Sequence, residues 1–232
     1  MRSRNVLLRT CLPSLLLCLS PLERARCDEK NTSTIMNKDL LQSLIDKVQS
    51  TAVDFEGQPL PEMLIAVRKY LSIYQPGLVA TVRQADQGNA IRASYLLSFL
   101  PLEPSVVSSL KEMAARQASE QRRAALQALQ GIGANDFESR QIAVRYLGET
   151  NDPGLFVVAA ACVGAWKVQG AIPSLVSALN TSDLQVSSAA ARALGDIGHS
   201  ASSALTRLEQ LRDELSKAKA DIDEAITKIS GP

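Results

Sequence analysis

Apolar residues recur along residues 182–211 at intervals of three and four, which is the spacing expected of two successive amphipathic helices. The first apolar stripe consists of Leu184, Val186, Ala189, Ala190, Ala193, Leu194 and Ile197. We expect Ser182 to cap this helix, with Asp183 in its first turn, and Gly198 to end it in a left-handed conformation. The second stripe consists of Ala201, Ala204, Leu205, Leu208 and Leu211. The segment therefore predicts a pair of helices joined by a short turn.

Two earlier stretches of the chain repeat this pattern. Residues 124–133 match residues 189–198 nearly position for position, and residues 159–166 are a looser copy. The equivalent positions Leu129, Val163 and Leu194 are separated by 34 and 31 residues, which lies in the range of helical repeats. Because an isolated helix of about 12–15 residues is marginal in water, each pair needs a neighbouring pair to cover its apolar stripe.

The repeated pattern resembles the HEAT family, in particular the HEAT-like repeats of phycobilisome lyases. The residues that carry the resemblance are Val186, Ala189, Ala190, Ala193, Leu194, Gly195, Ile197 and Gly198. Two features depart from the family pattern: Ser187 stands where Arg is frequent, and His199-Ser200 replaces an acidic, proline-containing turn. The resemblance is clear over residues 120–211, and it implies a stack of helix pairs.

The fold class predicted for the whole chain is all-α, an α-solenoid of about five HEAT-like helix pairs. We expect one helical-repeat domain over residues 37–232, beginning with a lid helix capped by Asn37. The predicted helices after the lid cover 61–74, 76–86, 88–100, 104–118, 120–131, 136–148, 153–166, 171–179, 182–196 and 200–229. Residues 200–229 are expected to form an extended C-terminal helix. That helix either folds back on the stack or dimerises as a coiled coil, giving a homodimer through 200–229.

The N-terminal 27 residues have the features of a cleavable signal peptide. Three arginines precede an apolar run over residues 11–22, and small residues near Cys27 suit a signal peptidase. The run is shorter than the roughly 20 apolar residues that span a bilayer, so no membrane span is expected in the mature chain. Residues 28–36 are expected to be flexible. The predicted location is secreted or periplasmic, with organelle import and a lipid anchor on Cys18 or Cys27 as the alternatives.

Removal of residues 1–27 changes the charge and the cysteine count. The remaining chain has 20 basic and 23 acidic residues, a net charge of −3, which argues against nucleic acid as a partner. It also leaves Cys162 as the single cysteine, so no intramolecular disulfide can form. Cys162 lies in a strongly apolar helix and is expected to be a packed core thiol.

The sequence offers little material for catalysis, and we predict no catalytic residues, metal ligands or cofactor. His199 is the single histidine and falls in a predicted turn. Gly131-Ile132-Gly133 matches residues 196–198 and is interpreted as a helix end, since it lacks the strand and the Lys-Ser/Thr pair of a phosphate loop. Asn31 and Asn180 satisfy the N-glycosylation pattern, which has meaning only in a eukaryotic secretory pathway.

These observations favour a non-enzymatic module that binds a protein or peptide on the concave face of the helix stack. Lys111, Arg140 and Arg145 lie on predicted second helices and are the candidate partner contacts. The alternatives are a lyase-like or chromophore-handling protein, which the resemblance to lyase repeats implies, and a structural protein that self-associates through its C-terminal helix.

Overall fold

The computed structural model describes residues 34–54, 60–149, 152–214 and 219–230. Within these ranges all regular structure is helical, with twelve α-helices and three short 3-10 segments. The chain divides into two compact units, unit 1 (Met1–Ser109) and unit 2 (Leu110–Pro232). The predicted all-α fold of the α-solenoid class is confirmed. The signal peptide predicted over residues 1–27, and Asn31, lie outside the described ranges.

Unit 1 is built from helices that pack on one another around α4. Its helices are α1 (Lys38–Asp54), α2 (Leu60–Leu71), α3 (Gln75–Gln84), α4 (Gln87–Leu97) and the beginning of α5 (Pro104–Ala114), which crosses the unit boundary. Helix α1 packs against α2 and α4, and α3 packs against α4. Asn37 caps α1 as predicted, since its Oδ1 accepts a hydrogen bond of 2.9 Å from the Leu40 N–H.

One expectation for unit 1 was wrong in detail. Met36 was placed in a flexible segment, yet it is buried, and its N–H donates a 2.8 Å hydrogen bond to Thr81 Oγ1. On α2, Ile65 faces away from the core, and 60% of it is exposed. The buried face of α2 runs instead through Ala66, Val67 and Leu71, because neighbouring residues on a helix point about 100° apart.

Unit 2 consists of two rows of helices. The first row contains α6 (Ser119–Gly131), α8 (Pro153–Ala165), α10 (Leu184–Ile197) and α12 (Lys219–Ser230), each packed against the next. The second row contains α7 (Phe137–Tyr146), α9 (Ile172–Ala178) and α11 (Leu205–Glu214), which pack against α8, α10 and α12 respectively. The predicted helices 120–131, 153–166 and 182–196 agree with α6, α8 and α10 to within two residues at each end.

Glycine at one repeat position allows the first-row helices to approach closely. A Cβ atom on Gly164 would lie 3.0 Å from the Ala193 Cα, and one on Gly195 would lie 2.8 Å from the Ala225 Cα. These glycines are 31 residues apart, which is the spacing of the repeat. Helices α8 and α10, and likewise α10 and α12, are therefore in near-backbone contact at the same repeat position, as small residues permit.

Three helices of the first row end with a residue at positive φ in the same repeat position. Gly133 has φ +72°, Lys167 has φ +51° and Gly198 has φ +78°. At the first two ends a backbone hydrogen bond between residues five apart closes the helix. It runs from the Ala134 N–H to the Leu129 carbonyl and from the Val168 N–H to the Val163 carbonyl, each at 2.9 Å. The predicted positive φ at Gly198 is confirmed, but its ψ of −146° lies outside the left-handed helical region.

Aspartates cap the N-termini of four of the helices. The carboxylates of Asp86, Asp136, Asp152 and Asp183 each accept a hydrogen bond from a backbone N–H in the first turn of the helix that follows. The prediction that Ser182 caps α10 was wrong by one residue. Asp183 is the cap, with Oδ1 bonded to the Gln185 N–H at 2.8 Å and the Val186 N–H at 3.3 Å.

The extended helix predicted over residues 200–229 is replaced by three elements. Residues Gly198–Ala204 form a 3-10 segment, and α11 and α12 are separate helices that pack against each other. Helix α12 also packs against α10, where Ile222, Ala225 and Ile229 are buried. Four of the apolar positions that suggested a coiled coil, Leu208, Leu211, Ile222 and Ile229, are thus buried within the chain. The three- and four-residue spacing suits any helix face that packs on another helix.

Candidate functional site

Lys111, the first predicted partner contact, is engaged within unit 2. Its Nζ lies 2.7 Å from Asp136 Oδ1 and 2.9 Å from Glu138 Oε2, and only 16% of its side chain is exposed. Burial alone would lower the pKa of Lys111, but the hydrogen bonds and charges of the two carboxylates outweigh it and raise the pKa. The ammonium group therefore fixes the acidic side chains at the start of α7 and is already paired.

Asp136 joins this ion pair to the cap of α7. Its carboxylate accepts hydrogen bonds from the N–H groups of Glu138 and Ser139, and from the Ser139 hydroxyl at 2.7 Å. Partial burial would raise the pKa of Asp136, but the hydrogen bonds from Lys111 and Ser139 lower it to about 2. The residue is consequently ionised throughout the physiological range, and the start of α7 is held in one arrangement.

Phe137 stands beside this fixed ion pair with 78% of its surface exposed. It is the first residue of α7, and the helix buries the opposite set of positions, Ser139, Ile142, Ala143 and Tyr146. Arg140 follows three residues later on the same side of the helix, and its Nε donates a 2.6 Å hydrogen bond to Asn135 Oδ1. We call Lys111, Asp136, Phe137, Glu138 and Arg140 the Phe137 surface.

Arg145 lies at the other end of α7 and in a different environment. Its guanidinium carbon is 5.1 Å from the ring centre of Tyr146, and its Nη2 donates to the Tyr146 hydroxyl oxygen at 3.4 Å. Arg122 also lies over this ring at 5.4 Å, and pairs with Glu149 at 2.6 Å. The Tyr146 hydroxyl donates to the carbonyl of Ala114 on α5. The exposed Arg145 is therefore held by an aromatic ring whose own position is fixed.

The three predicted contact residues do not form one cluster. Lys111 and Arg140 both belong to the Phe137 surface at the N-terminal end of α7. Arg145 is five residues beyond Arg140, which turns it by about 140° around the helix axis and moves it about 7.5 Å along the axis. Any partner contact through Arg145 is therefore separate from a contact at Phe137.

A concave surface lies just beyond the C-terminal end of α7. This groove has a volume of about 620 Å³ and is lined by the two residues that follow α7, by parts of α8, α9 and α10, and by the turn between α9 and α10. Its floor is apolar and includes Leu147, Phe156 and Val186, while its rim carries Ser174, Ser177, Asn180, Thr181 and Asp183. Asn180, one of the two residues that match the glycosylation pattern, is exposed at this rim.

The two residues considered as candidates for catalysis are a buried cysteine and an exposed histidine. Cys162 is fully buried, as predicted, and burial raises the pKa of its thiol to about 12. Its Sγ faces the Leu126 carbonyl at 3.6 Å, so it behaves as a packed core residue. His199 is exposed in the 3-10 segment after α10. In the described ranges no group of three or more His, Cys, Asp or Glu side chains is arranged to hold a metal ion.

Among the described residues, no helix combines the length and the apolar character needed to cross a bilayer.

Sequence reasoning missed both Phe137 and the groove. Phe137 gave a signal in principle, because it lies off the buried stripe of its helix while most large apolar residues lie on theirs. The groove gave none. It results from the way the residues after α7, the short α9 and the turn before α10 surround Leu147 and Phe156, and that arrangement is tertiary.

The comparisons with known proteins agree with the fold. The family model described as HEAT repeats matches residues 129–226, which confirms the predicted resemblance and extends it through most of α12. The crystal structure of an engineered protein from the Northeast Structural Genomics Consortium is similar, with a TM-score of 0.53 and 20% identity, covering 84% of this chain and 97% of that one. A designed armadillo repeat protein gives a TM-score of 0.49 at 16% identity, covering 79% of this chain and 100% of that one. No curated protein matches the sequence.

Proposed function

We propose that the chain is an exported, non-enzymatic interaction module that binds a protein partner through the Phe137 surface. The observation that carries this proposal is the exposure of Phe137, of which 78% is open to solvent on a helix whose other side is buried. The fold of unit 2 makes little use of this ring. Large aromatic side chains are enriched among the residues that dominate protein interfaces.

The energetics of the surface support an interface role. Covering a phenylalanine side chain contributes about 1.5–3 kcal/mol through its apolar area. The residues around the ring are already ordered, since Lys111 holds Asp136 and Glu138 while Asn135 holds Arg140. A partner that docks there loses less free energy to the ordering of side chains than it would on a flexible surface.

The three predicted contact residues take different parts in this proposal. Arg140 lies beside Phe137 and contributes a polar contact at the edge of the interface. Lys111 acts by positioning the carboxylates, because its ammonium group is already paired. Arg145 lies over the Tyr146 ring and is exposed, so its guanidinium can bind a carboxylate of the same or another partner.

Export to a secreted or periplasmic location remains part of the proposal and is supported by the N-terminal sequence alone. Residues 1–27 combine a basic start, an apolar run and small residues before a cleavage site. N-terminal sequencing of the protein recovered from its native location tests this point. A mature chain beginning at Asp28 is the expected result, and a chain that retains Met1 in the cytosol would contradict it.

Affinity capture with quantitative mass spectrometry tests the interaction. The purified chain and its Phe137→Ala variant serve as bait in an extract of the compartment where the protein resides. Because truncation of a central interface residue costs about 2 kcal/mol or more, the variant should bind the captured partner about thirtyfold more weakly. Its melting temperature should be unchanged, since the ring is exposed.

Leu184→Ala is the matched control for this experiment. Leu184 is also an exposed apolar residue at the first position of a helix that begins after a capping aspartate. We expect this variant to capture the partner as the wild type does. Equal capture by all three proteins would refute the role of Phe137, and an activity found on a substrate screen that the Phe137 variant retains would refute the non-enzymatic assignment.

A further inference from the structure

The groove described above is a second surface of unit 2, separate from the Phe137 surface. Leu147 marks one side of it, ten residues beyond Phe137, which corresponds to about 15 Å along a helix. The groove volume of about 620 Å³ lies within the range of about 300–1,000 Å³ that is typical of ligand sites in proteins. It is larger than a single side chain requires, and it is suited to a short stretch of extended peptide.

The floor of the groove is apolar and firmly held. Phe156 is 1% exposed and Leu147 is 3% exposed, and both belong to the packed core between α7 and α8. A floor of this kind does not reorganise when a ligand arrives. It favours an apolar side chain of the ligand, because that side chain loses its contact with water there.

The charge of the groove is negative. Asp183 is the single ionisable residue of its lining, and no cationic side chain in the described part of unit 2 pairs with it. The two cap hydrogen bonds that it accepts both go to Oδ1.

The rim can bond to a peptide backbone. Ser174 and Ser177 lie along the second-row helix α9, and Asn180 follows in the turn. Hydroxyl and amide side chains both donate and accept hydrogen bonds, so they can pair with the N–H and C=O groups of an extended chain. The apolar floor, the hydrogen-bonding rim and the negative charge of Asp183 together suit a ligand with an apolar side chain, a peptide backbone and a positive charge.

We propose that this groove binds a peptide segment in which a large apolar side chain is followed directly by Lys or Arg. The apolar side chain lies on the Leu147 and Phe156 floor, and the cation lies against Asp183. Such a segment on a partner protein would give the chain two contact points, one at each end of α7. Two linked contacts bind more tightly than either one alone.

Titration of the isotopically labelled chain with short peptides, followed by NMR, tests the proposal. The probe is acetyl-Ser-Phe-Lys-Ser-amide, and the comparison peptides replace Lys by Glu or Phe by Ala. We expect the probe to shift the amide signals of residues 147–148 and 174–186. Because an exposed ion pair contributes up to about 1 kcal/mol, the Lys peptide should bind about fivefold more tightly than the Glu peptide.

Three variants separate the parts of the proposal. Asp183→Asn keeps a residue that caps helices well but removes the charge, so it should abolish the preference for Lys over Glu. Ser177→Arg places a bulky cation on the rim and should abolish binding of the probe. Ser203→Arg adds the same side chain at an exposed position outside the groove and should bind the probe as the wild type does.

The outcomes that would overturn the proposal are distinct. Equal affinity for the Lys and Glu peptides, or binding that Ser177→Arg leaves intact, would show that the groove does not recognise this chemistry. Shifts of the groove signals that depend on the concentration of the protein alone would assign the groove to a second copy of the chain. The Phe137 surface would remain a separate question in each case.

Discussion

Replacement of Gly195 by Ala tests the close packing of the first helix row, and it should destabilise unit 2. In an open helix the change would stabilise by about 1 kcal/mol, because Ala is the better helix former. Here the added Cβ would lie 2.8 Å from the Ala225 Cα and 3.2 Å from its Cβ. The first distance is well below the roughly 3.5–4.0 Å at which carbon atoms attract.

The size of the effect follows from what must move. The nearest atom belongs to the backbone, so α12 has to shift away from α10, and the burial of Ile222 and Ile229 is reduced. Inserting a methyl group into a packed core costs about 1–3 kcal/mol, and the backbone contact places this change in the upper part of that range, about 2–3 kcal/mol, against a propensity gain of about 1 kcal/mol. We expect a net loss of about 1–2 kcal/mol, which corresponds to a fall in melting temperature of about 2–8 °C for a chain of this size.

Thermal melting followed by circular dichroism measures this loss, with Gly88→Ala as the control. Gly88 also lies in a helix, but an added Cβ would meet mainly the flexible end of the Arg92 side chain at 3.2 Å. The control should melt at the wild-type temperature or slightly above it. If Gly195→Ala melted as high as the wild type, the near-contact between α10 and α12 would be wrong.

Three further changes probe other features of unit 2. Lys167→Gly should raise the free energy of unfolding, measured by chemical denaturation, by about 0.5–1 kcal/mol, because Lys167 has φ +51° at a position where Gly133 and Gly198 stand in the other repeats. A destabilised variant would contradict this. Burial raises the pKa of Cys162 from 9.0 to about 12, so between pH 9 and 12 the unfolded chain has lost the thiol proton while the folded chain keeps it, and the free energy of unfolding should fall as pH rises. Cys162→Ala should show a flatter dependence of unfolding free energy on pH over that range. An unchanged slope would refute the assignment. Asp136→Ala should cost about 0.5–2 kcal/mol at pH 7 through the lost cap, and the difference from wild type should shrink as pH falls from 4 towards the Asp136 pKa of about 2. A difference at pH 2 as large as that at pH 7 would contradict the role of the ionised carboxylate.

Much of the fold could be predicted from the sequence because the repeat is a local pattern. The spacing of Leu129, Val163 and Leu194 located three first-row helices, and all three residues are fully buried. Glycine at 133 and 198 correctly indicated helix ends. Lys167 occupies the same position without being glycine, and no propensity would have indicated its positive φ.

The C-terminal region was less predictable, because its apolar spacing suits two different structures. Leu208, Leu211, Ile222 and Ile229 fit one long helix as well as two packed helices, and only the contact between α10 and α12 decides between them. The candidate site was also predicted in part. Charge alone suggested Lys111, but the two carboxylates that pair with it are 25 and 27 residues away and are brought there by the fold.

The central claim is that each short helix of unit 2 is stable only because its neighbours in the row cover it. Amide hydrogen exchange of the Leu194→Asp variant tests this claim most directly. Leu194 is fully buried in α10, and an unpaired charge there costs several kcal/mol against a total stability of about 5–15 kcal/mol. The account predicts that protection is lost in α8, α10 and α12 together. Loss confined to α10, or an unchanged exchange pattern, would contradict it.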